Sequence, residues 1–175
     1  MDELNDGLYI DNAGLVILAP FLPRFFQQLG MVEDGSFITA SDAERAVLLL
    51  QYLATGQQKT EEHLLLFNKI LCGLPLDYPV PSSIEITEEE ASMVRSLLNA
   101  VLQNWDKMSN SSVDNLRASF LLREGLLKEE EDHWGLVVEP KGYDIILSFL
   151  PWTISVVHLP WMEKRVEVDW KTSMG

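Results

Sequence analysis

Near its end the chain repeats a rigid triplet: Leu150-Pro151-Trp152, then nine residues later Leu159-Pro160-Trp161. Each joins a proline, which fixes φ and lacks an N–H, to tryptophan, the largest apolar anchor. Between them, residues 153–158 (Thr-Ile-Ser-Val-Val-His) alternate as a short strand would. Catalysis has no use for this pattern. It suits a chain needing two fixed corners around one strand, each pinned into a core.

The 47% hydrophobic content of the 175 residues supplies such a core, and the length fits a single domain over 1–175. Acidic residues outnumber basic ones 27 to 13, for a net charge of −14. That surface repels phosphate backbones and anionic membranes, so no nucleic-acid partner is expected. The longest apolar run, from Ala13 to Leu22, is shorter than the roughly 20 residues a bilayer crossing needs, so no direct membrane insertion is expected either. The start of the chain has neither the basic stretch nor the long apolar run of a signal peptide, which implies synthesis and folding in cytoplasm.

Patterning divides the chain into a helical part, 8–123, and a strand-rich part, 124–175, carrying the two corners. From Ala13 to Phe26 the chain is apolar on almost every side. Asn12 is a plausible cap, a break is expected near Pro20, and Pro23 should sit in the first turn of a following helix. Such a segment must be buried all round, within the chain or against a partner. Further helices are expected over 41–55, capped by Ser41 with Glu44, over 61–72, over 88–105, capped by Thr87 with Glu90, and over 113–123. Residues 125–139 read as a hairpin with an acidic turn, 142–149 as a short helix, and 154–158 and 165–170 as strands. The expected class is α+β: about five helices, then a small, mostly antiparallel sheet.

The residues that could carry chemistry are scattered. His63, His133 and His158 lie in no metal-binding spacing, so no metal site is expected. Cys72 sits at a helix C-terminus, where the dipole disfavours a thiolate. No nucleotide-binding loop or nucleophile elbow occurs, so no cofactor and no enzymatic activity are expected. The runs Glu88–Glu90 and Glu129–Asp132 read as solvated termini and turns. Aromatics with neighbouring prolines are instead what docking surfaces use. The candidate docking residues are Leu15, Ile17, Pro20, Phe21, Pro23, Phe25, Trp152, Trp161 and Met162.

Several strings in order resemble the contractile injection system tape measure protein family. They are Tyr9 through Pro23, Glu44 through Gly56, Asn68 through Leu76, Phe120 through Gly125, and Leu150 through Lys164. The resemblance implies a structural part of a phage-tail-like particle, which sets inner-tube length and is held near the baseplate and spike. It implies other particle subunits (inner tube, baseplate or spike) as partners, with self-association also compatible, and a place within the particle after cytoplasmic assembly. A ruler needs length, yet at ~1.5 Å per helical residue this chain would reach at most ~260 Å and it reads as globular. It is expected to be a compact portion of a longer ruler or a short member anchoring one end. The alternative is a cytoplasmic adaptor or chaperone for particle assembly or cargo.

Overall fold

The computed structural model describes residues 7–171. The chain enters as a short strand, β1 (Leu8–Ile10), and then turns into two successive 3-10 turns, Ala13–Ile17 and Ala19–Phe21. Helix α1 (Leu22–Gln28) follows with Pro23 in its first turn. The break near Pro20 therefore occurs as the missing N–H demands. Next comes a hairpin, β2 (Val32–Glu33) and β3 (Ser36–Phe37), turned at Asp34 and Gly35, both with positive φ. The Asp-Gly pair is the sequence signal for that turn, and the helical expectation for this part passed over it.

Helix α2 (Ala40–Thr55) is capped by Thr39, whose hydroxyl accepts from the Asp42 N–H at 3.0 Å, and not by Ser41. Gly56 ends it in the left-handed region. The segment 61–72 divides into a 3-10 turn (Glu62–Leu64) and α3 (Leu66–Leu71). Helix α4 (Glu88–Asn104) has the expected Thr87/Glu90 capping box. Glu90 is nevertheless no solvated terminus: it is buried and grips the Arg45 guanidinium with both oxygens. Helix α5 (Val113–Leu116) runs on as a π-turn over Arg117–Leu121.

The strands β4 (Gly125–Glu129) and β5 (His133–Val138) form the expected hairpin. A 3-10 helix (Gly142–Phe149) leads into the first corner, and β6 (Val156–Val157) and β7 (Arg165–Asp169) complete the chain. The expected order, helices first and a small, mostly antiparallel sheet afterwards, is corrected by the sheet itself. Its strand order is β1-β4-β5-β7-β6. β1 precedes every helix yet pairs with β4, Tyr9 opposite Leu126. β5 and β7 run parallel, Leu136 opposite Val168, so the sheet is mixed. Parallel neighbours need a crossover, and residues 139–164 with both corners provide it. The class remains α+β, with helices α1 to α5 inserted between β1 and β4 of this sheet.

One face of the sheet packs on the helices through Ile10, Leu127, Leu136, Val157 and Val166. Ala13 to Ala19 are buried within this chain, so their apolar character is met internally. Gly14 shows how tightly: a Cβ there would lie 1.8 Å from the Phe120 carbonyl oxygen on the π-turn.

Candidate functional site

The two corners answer two gaps left by prolines in the helical part. In the 3-10 turn Ala13–Ile17, the N–H that would reach the Ile17 carbonyl belongs to position 20, which is proline. The Trp152 indole N–H takes its place, donating to the Ile17 carbonyl oxygen at 3.0 Å. In α3 the partner for the Leu71 carbonyl would be position 75, again proline. The Trp161 indole N–H donates there, at 2.7 Å. The neighbouring carbonyls of α3 are closed by the Gly73 and Leu74 N–H groups, a Schellman end with Gly73 at φ 74°. Each corner thus supplies an indole donor to a backbone acceptor whose regular helical donor is replaced by proline.

Aromatic packing reinforces both latches. Phe21 meets Trp152 edge-on at 5.1 Å between centroids, and Trp161 lies 4.9 Å from Phe37 and 5.9 Å from Phe26. A Cβ on Gly73 would stand 2.5 Å from the Trp161 carbonyl oxygen, so α3 ends flush against the second corner. Met162 is buried, and its sulfur accepts from the Leu159 N–H at 3.3 Å, tightening the turn.

Of the nine candidate docking residues, Leu15, Ile17 and Phe25 are interior and Met162 is covered. Pro20 is exposed; Phe21, Pro23, Trp152 and Trp161 are half-buried. Pro20 and Pro23 face Thr153, Val156 and Pro160 across a groove of about 240 Å³. On its far side Pro160 joins Trp161 in a shallow basin with Phe37, Ile38 and Leu74. The structure therefore gathers the partly exposed candidates along one seam between the N-terminal turns and the corners.

Two polar assemblies were not visible in the sequence. Arg123 and Asp144, both fully buried, pair through both guanidinium arms at 2.7 and 3.0 Å. Asp144 also accepts from the Trp170 indole at 2.9 Å and the Lys141 N–H at 2.8 Å. Burial alone would raise its carboxyl; the Arg123, Trp170 and Lys141 donors together hold it below the ordinary aspartate value. Asn12, expected as a cap, makes no capping bond. It is buried and donates to Gln51 at 3.0 Å and Asn68 at 2.7 Å, tying the first turn to α2 and α3.

These groups fasten the fold. Cys72 is buried, and desolvation pushes its thiol far up. The three histidines do not converge, and among the described residues no group of His, Cys, Asp or Glu is placed to hold a metal ion. Among them, too, no helix is long and apolar enough to cross a membrane.

Compared with curated proteins and with solved structures, the chain matches none. The model of one family does match, over residues 1–170, and with the strings that run from Tyr9 to the second corner it shows that the chain belongs to the contractile injection system tape measure protein family.

Proposed function

We propose that this chain is a compact anchor in the injection particle, docking through the seam of Pro20, Phe21, Pro23, Trp152 and Trp161 onto the inner tube, baseplate or spike. Family membership gives the structural role and its setting among other particle subunits. The observation that carries the anchoring is the seam's construction. Half-exposed aromatics, the half-buried Pro23 and the exposed Pro20 stand on backbone that two indole bonds lock in place, which is how rigid contact residues are presented at low entropic cost. The helices are short as well: α4, with 17 residues, spans about 25 Å and is the longest of them, a fastening more than a measuring rod.

The test counts this chain, by quantitative mass spectrometry, in purified particles carrying wild-type or seam-altered protein. Thr153→Asp and Val156→Asp change exposed positions that line the groove and keep both latches. A low, fixed copy number for wild type and a severalfold loss for the variants is the expected result. Normal tubes without the chain would overturn the reading in favour of an adaptor that stays outside the particle.

A further inference from the structure

Beside the seam, α1 and α4 leave an open groove of about 290 Å³, lined by Phe21, Phe25, Met93 and Leu97, with Arg24, Gln28, Ser96 and Ala100 along its edges. The α4 contribution, positions 93, 96, 97 and 100, follows the i, i+3, i+4, i+7 spacing of one helical face. Phe25 and Leu97 are buried, Phe21 and Met93 half-buried, and two helices that line a groove side by side make the bed for a third.

The charge of the lining is unusual for this chain. Carboxylates outnumber cations 27 to 13 overall, yet none lines this groove. Its one charged group is Arg24, which is exposed and has no ion-pair or hydrogen-bond partner among the described residues. We infer that the groove receives an amphipathic helix of another particle subunit, which inserts apolar side chains one turn apart between α1 and α4 and sets an aspartate or glutamate against Arg24. A second copy of this chain is a poor occupant. It would bring together two chains that each carry −14, and their like charges repel. This inference rests on the chain being an assembly component, and it names the partner chemistry at the end of the seam where Phe21 belongs to both features.

A photo-crosslinking residue at the exposed position Ser96, introduced into the full chain and activated in purified particles, reads the occupant directly. The expected product joins Ser96 to a helical segment of a different subunit bearing Asp or Glu. Arg24→Glu should then lower the yield about tenfold, and a Lys in place of the mapped acidic residue should restore it. Adducts only to another copy of this chain, adducts to a segment without carboxylates, or no adduct from chains counted in the particles would each overturn the groove assignment while leaving the anchoring role standing. Absence of the chain from particles would instead remove the anchoring role, and this inference with it.

Discussion

Trp161→Phe isolates the latch of the second corner. The substitution keeps an aromatic ring beside Phe26 and Phe37 and removes the N–H that closes the Leu71 carbonyl at 2.7 Å. The smaller ring gives up about 40 Å² of buried apolar area, near 1 kcal/mol. The lost bond and the stranded carbonyl add about 1–3 kcal/mol, because no main-chain donor can replace the proline at position 75. The total of about 2–4 kcal/mol corresponds to a melting temperature lower by roughly 5–12 °C in a chain of this size. Trp134→Phe is the matched control: Trp134 is buried on β5, and its indole N–H has no hydrogen-bond partner among the described residues. Thermal and urea unfolding followed by far-UV circular dichroism would compare the two. If both variants lose the same stability to within about 0.5 kcal/mol, the indole-for-proline argument is wrong.

Asp144→Asn leaves Arg123 buried without a counter-charge and should cost about 3–5 kcal/mol at neutral pH. Because the folded carboxyl titrates below its unfolded value near 3.8, its contribution is complete above that pH and disappears as pH falls through the lower folded value. Urea midpoints measured from pH 6 down to 3 should therefore fall less steeply in the variant than in wild type; parallel curves would contradict this assignment. Gly14→Ala would place a methyl 1.8 Å from the Phe120 carbonyl oxygen and 2.5 Å from the Leu121 Cα. Backbone on both sides cannot yield locally, so the variant should lose at least about 3 kcal/mol or fail to accumulate in soluble form; unchanged melting would show that the turn and the π-turn are not in register as described.

How far the fold was legible depended on whether its cause was local. The Thr87/Glu90 box, the Gly56 stop and the alternation of Val166, Val168 and Trp170 were readable because each rests on residues within one turn or one strand. The corners were readable as architecture, but their purpose lay in Pro20 and Pro75, far away in sequence. β1 escaped notice because three residues beside a long apolar run show no periodicity of their own. The direction of β7 was equally hidden, since a period of two is the same in parallel and antiparallel pairing. The Ser41 cap missed the true start of α2, because only the structure shows the Thr39 hydroxyl accepting from the Asp42 N–H. At the seam, sequence grouped apolar, aromatic and proline positions together without separating Leu15 and Ile17, which the core takes, from Pro20, which it leaves outside. The Arg123–Asp144 pair spans 21 positions with no pattern between them, and only the packed structure joins them.

The bond from Trp152 to the Ile17 carbonyl also sets an order in time, because it spans 135 positions. At about 5–20 residues per second, a ribosome delivers Trp152 roughly 7–27 s after Ile17. Through that interval the N-terminal turns wait with an open carbonyl and an uncovered apolar flank. β1 waits almost as long for β4. The first turns are thus completed only by a residue made more than a hundred positions later, so a copy that stops before Trp152 leaves the Ile17 carbonyl open and Phe21 without its aromatic neighbour.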